Sequence, residues 1–210
     1  MFFITIIIGY LIGSIPIGYI YGKLKGIDVR NIGFKRIGAS NIYKTFGFIP
    51  GVLVFFGDFL KPILAILIAM LICRDTACRV PTIIHYIAGL LAIIGHNWPL
   101  WLKFKGEGRG VASSFGFLYY LVPIETLIIF VALFPVGIRL KSTALLTFIF
   151  FCLAPLVVLI FQRPYFSLSL CVSLLAFISR ISGGFKVLKT TNNKRKIIIN
   201  SLLFDNPNRI

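Results

Sequence analysis

Acidic residues are scarce in this chain of 210 residues, where six Asp and Glu stand against 22 Lys and Arg. No carboxylate pair and no Ser-His-Asp arrangement is evident, so the chain offers few side chains for a reaction that needs a strong general base. Histidine and cysteine are also few, at two and four, and no Cys-x-x-Cys pair or Cys/His cluster occurs. We therefore expect no metal site and no redox site.

Apolar residues dominate what is present. The chain is 58% hydrophobic with a mean hydropathy of +0.96, which excludes an ordinary soluble domain. A net charge of +16 would indicate nucleic acid in a soluble protein, but here the basic residues lie between apolar stretches. Anionic lipid headgroups or anionic substrates are therefore the expected partners, and no nucleic acid is expected. Candidate spans are 2–22, 48–73, 83–102, 111–138, 143–161 and 165–179.

The segment 111–138 is too long for one crossing. As a single helix it would extend about 42 Å, against a bilayer core of about 30 Å. Pro123 and Glu125 lie near its middle, where both are unfavourable in a span. A turn at Leu121–Glu125 would make it a pair of short segments, either spanning or re-entrant.

The distribution of basic residues favours that pair. With the N-terminus outside and 111–138 folded as a pair, 18 of the 22 Lys and Arg lie inside. If 111–138 were a single helix, 10 would lie inside and 11 outside. The positive-inside rule thus predicts an all-α integral membrane protein with seven transmembrane helices and a cytoplasmic C-terminus. We expect one polytopic membrane domain over 1–188 and a basic cytoplasmic tail over 189–210. Gly183-Gly184 is predicted to form a flexible turn.

A glycine-rich basic loop, Lys105-Gly-Glu-Gly-Arg-Gly110, lies between two apolar stretches. Glycines let backbone N–H groups approach an anion, and Arg can bind phosphate through two hydrogen bonds. The alternative is an anchoring loop that only sets topology. The candidate phosphate-binding residues are Lys105, Gly106, Gly108, Arg109 and Gly110.

A second polar segment, Gly38-Ala-Ser-Asn41, is followed by Lys44. Ser40, Asn41 and Lys44 offer a hydroxyl, an amide and an ammonium group within about one helical turn, which suits a phosphate or hydroxyl ligand. Alternatively, Ser40 or Asn41 caps a helix. Ser142, on the same predicted face, is either a ligand-binding hydroxyl or a further cap.

Other polar residues lie within or beside the spans. Asp58 and Lys61, spaced i,i+3, can face each other, either at a functional site or as an ion pair that anchors neighbouring helices. His96 and Asn97 precede the glycine loop and are expected to orient it. Ser14, in Gly-Ser-Ile-Pro16, is expected in helix packing with a kink at Pro16.

Taken in order, the motifs GSIPxG, D-V-R, G-A-[ST]-N, D-x-L-K, GHNWP and KFKG–G–[KR]-G-V-A resemble the bacterial membrane glycerol-3-phosphate acyltransferase family. The resemblance covers roughly residues 9–145. It implies a seven-span inner-membrane fold with a cytoplasmic active site and no cofactor. It also implies transfer of an acyl group from acyl phosphate to the 1-position of glycerol-3-phosphate, giving lysophosphatidic acid for phospholipid biosynthesis. The implied partners are these two substrates and membrane lipid.

The resemblance carries over roles residue by residue. It implies catalytic roles for Ser40, Asn41, Lys44, Arg109 and Ser142, and phosphate binding by the glycine-loop residues named above. Apart from the resemblance, structural or orienting roles are predicted for six further residues: Ser14, Gly38, Asp58, Lys61, His96 and Asn97.

The chain also departs from the family pattern. Phe34, Lys35 and Arg36 stand where the family has Ser, Gly and Asn, and Lys44 replaces an Arg. The glycine loop is one residue longer and carries Glu107. At the C-terminal motif, Ser179 to Ser182 lack the family's histidine. These changes keep an alternative open: a catalytically silent relative that binds acyl phosphate or anionic lipid and regulates or scaffolds lipid synthesis.

Overall fold

A computed structural model describes residues 2–74, 82–105, 108–140 and 143–188. Throughout these ranges the regular secondary structure is helical. Short 3₁₀ turns lie at Leu100–Leu102 and Arg163–Tyr165. The α-helices are α1 (Phe2–Ser14), α2 (Ile17–Leu24), α3 (Ala39–Phe46), α4 (Phe48–Arg74), α5 (Thr82–Asn97), α6 (Val111–Leu121), α7 (Pro123–Leu140), α8 (Thr143–Phe161) and α9 (Phe166–Leu188).

Five segments are long and apolar enough to cross a membrane. They are Phe3–Leu24, Phe48–Cys73, Ile83–Leu102, Ala144–Phe161 and Arg163–Ile181. They coincide with five of the predicted spans. Two shorter apolar helices, Val111–Leu121 and Pro123–Leu133, occupy the segment predicted as a pair. A total of seven crossings and the orientation of the chain remain predictions.

Prolines break the helices where the sequence predicts a break. α1 ends at Ser14 and α2 begins at Ile17, just after Pro16. α6 ends at Leu121 and α7 begins at Pro123, so 111–138 is two helices and the predicted split is confirmed. Proline suits the first position of a helix because its missing N–H would have no intrahelical partner there.

Two local predictions are wrong. Gly38, in extended conformation, is the N-cap of α3, so Ser40 and Asn41 lie inside the helix instead of capping it. α9 runs without a break to Leu188, so Gly183-Gly184 is helical. A glycine costs a helix only about 1 kcal/mol relative to alanine, which packing elsewhere along a long helix can offset.

The chain divides into two compact units, Met1–Phe117 and Leu118–Ile210. In the first, α4 contacts α1, α3 and α5, and α1 also packs along α5. A side chain at Gly13 would overlap the backbone of Ala92, so glycine allows the close approach of α1 and α5. In the second, α8 packs against α7 and α9. A single domain over 1–188 remains a prediction.

Candidate active site

The segment 28–38 folds around the side chain of Asn41, which is fully buried. Its amide nitrogen donates to the carbonyl oxygens of Val29 at 2.8 Å and Arg36 at 2.6 Å. Its amide oxygen accepts from the backbone N–H of Phe34 at 2.6 Å. Because this amide uses both donors and its acceptor on the loop backbone, the structure places Asn41 as the residue that shapes the loop.

The same loop contains two residues in left-handed conformation. Gly33 has φ of 60°, and a side chain there would overlap the Asn41 amide oxygen, so only glycine fits. Lys35 has φ of 57°, a conformation that costs a non-glycine residue about 1–2 kcal/mol. In the family pattern given by the resemblance, a glycine stands at the position of Lys35. The left-handed backbone of Lys35 therefore suits that pattern, although Lys35 has a side chain and glycine has none.

Ser40 and Lys44 lie one helical turn apart on α3, and both are exposed, whereas the neighbouring Asn41 is buried. The Lys44 ammonium lies 4.3 Å from the centre of the Phe34 ring. A cation over a ring face is attracted by the ring quadrupole. Two departures from the family pattern, Phe34 and Lys44, therefore contact each other, and the ring limits where the ammonium can lie.

An ion pair closes the start of this loop. The Arg30 guanidinium donates to both carboxylate oxygens of Asp28, at 3.0 and 2.7 Å, and lies 4.8 Å from the centre of the Tyr19 ring. The hydrogen bonds from the Arg30 side chain lower the pKa of the Asp28 carboxyl from 3.8 to about 2. Asp28 is therefore ionised at neutral pH, and its charge is matched by Arg30.

The described part of the glycine loop leads directly into α6. Gly108 and Gly110 are buried, Arg109 is half-buried and Lys105 is exposed. Gly110 has φ of 63°, and its carbonyl oxygen accepts from the N–H of Ser114 at 2.7 Å, which forms the first turn of α6. The first N–H groups of a helix lack intrahelical partners, so the end of this loop is suited to bind an anion.

Three buried ionisable side chains lie beneath the glycine loop. The Lys61 ammonium is 2.6 Å from Oδ1 of Asp58, and Nδ1 of His96 is 3.3 Å from both groups. A side chain at Gly108 would overlap the His96 carbonyl oxygen, and one at Gly110 would be 2.5 Å from the Asn97 amide oxygen. His96 and Asn97 of α5 thus lie against the loop, and Asp58 and Lys61 of α4 contact His96.

The turn that carries His96 is also tied to α1. The Tyr10 hydroxyl donates to the Trp98 carbonyl oxygen at 2.7 Å. Ser14 donates back to the Tyr10 carbonyl oxygen at 2.9 Å, and a side chain at Gly95 would be 3.0 Å from its Oγ. Ser14 therefore lies at the packing contact between α1 and α5.

Some predicted residues lie elsewhere. Gly106, Glu107 and Ser142 lie outside the described residues. At the C-terminal motif, the Ser179 hydroxyl donates to the Ala176 carbonyl oxygen at 2.9 Å. Arg180 is buried and donates to the carbonyl oxygen of Ala144 at 3.0 Å and to Thr147. Arg180 thus links α9 to α8, whereas the Ser179 hydroxyl bonds within α9.

Sequence reasoning missed two residues that shape the site. Ser113 donates to the Asp58 carbonyl oxygen at 3.0 Å, which ties the first turn of α6 to α4. Gly33 makes room for the Asn41 amide. A serine before an apolar run and a glycine in a polar loop are too common to single out, and only their tertiary contacts reveal these roles.

Comparison with known proteins gives consistent matches. The glycerol-3-phosphate acyltransferase family model matches residues 3–189. "Glycerol-3-phosphate acyltransferase 2" of Moorella thermoacetica is 37% identical over 166 residues, which cover 79% of this chain and 81% of that protein. The match therefore extends over both units of the fold and both polar loops.

Two crystal structures are also similar. They are of PlsY (YgiH), an integral membrane glycerol 3-phosphate acyltransferase, in its glycerol 3-phosphate and lysophosphatidic acid forms. Their TM-scores are 0.75 and 0.73, at 29% and 27% sequence identity. Each alignment covers 90% of this chain and 92% of the other. The integral membrane fold is thus shared over nearly the whole of both chains.

Proposed function

This chain belongs to the glycerol-3-phosphate acyltransferase family, and from that premise we propose the reaction it carries out. It moves a fatty acyl group from acyl phosphate to the 1-position of glycerol-3-phosphate. The products are lysophosphatidic acid and inorganic phosphate. The proposal takes the donor from the resemblance of the motifs, and it takes the acceptor from the family and from the bound forms of PlsY.

One observation supports the proposal most strongly. The glycine loop leads directly into the N-terminus of α6, and Arg109 lies two residues before the first residue of that helix. Backbone N–H groups and a guanidinium can hold a phosphate and stabilise the charge that grows on it as the acyl bond breaks. We assign this role to Lys105, Arg109 and the backbone of Gly106, Gly108 and Gly110. His96 and Asn97 lie against Gly108 and Gly110 and would support the backbone there.

The chemistry needs no strong base on the protein. The 1-hydroxyl oxygen of glycerol-3-phosphate forms the new ester bond to the acyl carbon, and the bond from that carbon to the phosphate oxygen breaks. The hydroxyl proton passes to a phosphate oxygen of the substrates, so inorganic phosphate leaves as the second product. Phosphate is already a good leaving group, and binding its charge lowers the barrier further.

The loop shaped by Asn41 is assigned to the acceptor. Ser40 and Lys44 share an exposed face of α3 and would hold the phosphate or hydroxyl groups of glycerol-3-phosphate. Asn41 acts through the loop conformation, since its amide is occupied by backbone groups. Ser142 is assigned a further hydroxyl contact, following the resemblance.

We place this reaction at the cytoplasmic face of the inner membrane. The positive-inside distribution of Lys and Arg supports seven spans, with the basic loops and the 189–210 tail inside. Glycerol-3-phosphate is a soluble anion and would reach the site from that side. The acyl chain would lie between apolar helices, in contact with membrane lipid.

The test is phosphate release from palmitoyl phosphate by the purified protein, with and without glycerol-3-phosphate. Wild-type protein should release phosphate only when the acceptor is present. Arg109→Ala should lose at least about tenfold in rate, as is typical when a charge-stabilising donor is removed. Arg163→Ala is the matched control, since Arg163 lies in the turn before α9. Equal rates in both variants would exclude the assigned role of Arg109.

A further inference from the structure

The three ionisable side chains beneath the glycine loop are almost completely buried. Asp58, Lys61 and His96 are 1%, 3% and 4% exposed. Withdrawing such groups from water is costly, and a buried ion pair often adds less stability than apolar residues of the same size would. Their presence here therefore calls for an explanation beyond the stability of the fold.

Anchoring of neighbouring helices by the ion pair does not explain why these charges are buried. Asp58 and Lys61 both lie on α4, three residues apart, so their contact joins no two helices. Within the described ranges, the two charged groups themselves contact another helix through His96, on α5. The imidazole is therefore the group on which the two charges act.

His96 in turn lies directly against the glycine loop. A side chain at Gly108 would be 2.8 Å from both Cδ2 and Nε2 of the imidazole. The loop backbone thus lies against the imidazole, while Nδ1 faces Asp58 and Lys61 on the other side. Rotation of the ring would move the surface that supports Gly108.

The loop is held to the same residue of α4 at its far end. Beyond Gly110, Ser113 donates to the Asp58 carbonyl oxygen at 3.0 Å. Asp58 is therefore linked to both ends of the described loop, through its carboxylate and His96 to Gly108 and through its carbonyl and Ser113 to the first turn of α6. Arg109 lies between these two attachments.

We infer that Asp58 and Lys61 act through His96 as positioning residues that set where the N–H groups of the glycine loop lie. The cluster touches no reacting atom, and its effect is on the binding of the substrate phosphate. This inference rests on the proposed function, because it assigns the loop to phosphate binding. It predicts changes in KM that exceed changes in kcat.

Two substitutions of His96 separate positioning from packing. His96→Asn keeps a polar nitrogen near the place of Nδ1, whereas His96→Leu fills the volume and leaves Asp58 and Lys61 without this partner. We expect His96→Leu to raise the KM for palmitoyl phosphate, the donor whose phosphate the glycine loop is assigned to bind, about tenfold, the equivalent of one hydrogen bond to a charged group. His96→Asn should restore most of it. A packing role would rank the two variants in the opposite order and overturn the inference.

His85 provides the matched control on the same helix. It lies 11 residues before His96, and neither of its ring nitrogens has a hydrogen-bond partner within the described ranges. His85→Leu should leave KM and kcat unchanged. If His85→Leu raised KM as much as His96→Leu does, the effect would be a general one of α5, and the inference would fail.

The double variant Asp58→Leu with Lys61→Met removes both charges together. We expect its melting temperature to stay near that of the wild type, because no unpaired charge remains. Its KM should nevertheless rise as in His96→Leu, and adding His96→Leu should raise it no further. A wild-type KM in the double variant would overturn the inference.

These results also separate the inference from the proposed function. If the wild type binds palmitoyl phosphate but forms no product with glycerol-3-phosphate, the proposed reaction fails. Calorimetric binding of palmitoyl phosphate by the His96 and His85 variants then tests positioning directly, and equal affinities would overturn it. Absence of binding by the folded wild type would overturn both proposals.

Discussion

Asp28–Arg30 and Asp58–Lys61 are both ion pairs of an aspartate with a cation, at 2.7 and 2.6 Å, yet their surroundings are opposite. Counting side-chain atoms alone, Arg30 and Asp28 are 32% and 19% exposed, whereas Lys61 and Asp58 are 4% and 2% exposed. Water screens the first pair, so losing it costs little. In the second pair, removing one partner leaves a buried, uncompensated charge. The two ion pairs therefore have similar geometry, but the loss of one partner costs far more in the buried pair on α4 than in the exposed pair at the start of the first loop.

The largest effect should come from breaking the buried pair on one side only. Asp58→Leu leaves the Lys61 ammonium buried without its counter-ion, and we expect a loss of about 3–5 kcal/mol in the free energy of unfolding. Adding Lys61→Met should recover most of that loss. Denaturant unfolding of both variants in the same detergent checks this prediction. Equal stability of the single variant and the wild type would mean that the pair is not buried as described.

A smaller loss should follow from removing the amide that shapes the first loop. Asn41→Ala leaves three backbone groups of 28–38 without their partner, and we expect about 2–3 kcal/mol of destabilisation. Ser40→Ala is the control, because Ser40 is next to Asn41 in α3 but is exposed. It should leave stability unchanged and affect only turnover. Equal stability of the two variants would show that the Asn41 amide does not stabilise the loop 28–38.

The helices could be predicted more fully than the site. Length and hydropathy identified five spans, and Pro123 with Glu125 identified the break in 111–138, because each is a local property of the sequence. The occupied amide of Asn41 could not be predicted, since it depends on how the preceding loop turns back. His96 was expected to orient the glycine loop, but its contact with Asp58 and Lys61 depends on how α4 and α5 pack.

Two substitutions in the first loop should act in opposite directions. Lys35→Gly relieves the left-handed backbone at Lys35, and we expect a gain of up to about 1 kcal/mol, reduced by the added freedom of the unfolded chain. Gly33→Ala should lose about 1–2 kcal/mol from its backbone strain, besides overlapping the Asn41 amide oxygen. Melting temperatures of the two variants check the signs. A loss of stability in Lys35→Gly would contradict the strain assigned to that position.

The smallest effect should be at the exposed pair. The pKa of Asp28 is lowered to about 2 in the folded protein, so the pair stabilises the fold above the unfolded pKa near 4 and loses this contribution as pH falls toward 2. Asp28→Asn should cost less than about 1 kcal/mol at pH 7 and should reduce the dependence of stability on pH between those limits. Melting temperatures over that pH range test it. If the variant kept the same dependence of stability on pH, Asp28 would not be the source of that dependence.

The most direct test of the account is to measure lysophosphatidic acid formed from labelled glycerol-3-phosphate, with palmitoyl phosphate and palmitoyl-CoA as alternative donors. The account predicts product from palmitoyl phosphate alone, with one phosphate released for each lysophosphatidic acid formed. Folded protein that binds glycerol-3-phosphate but makes no product from either donor would contradict it. Product from palmitoyl-CoA alone would contradict the assignment of the donor.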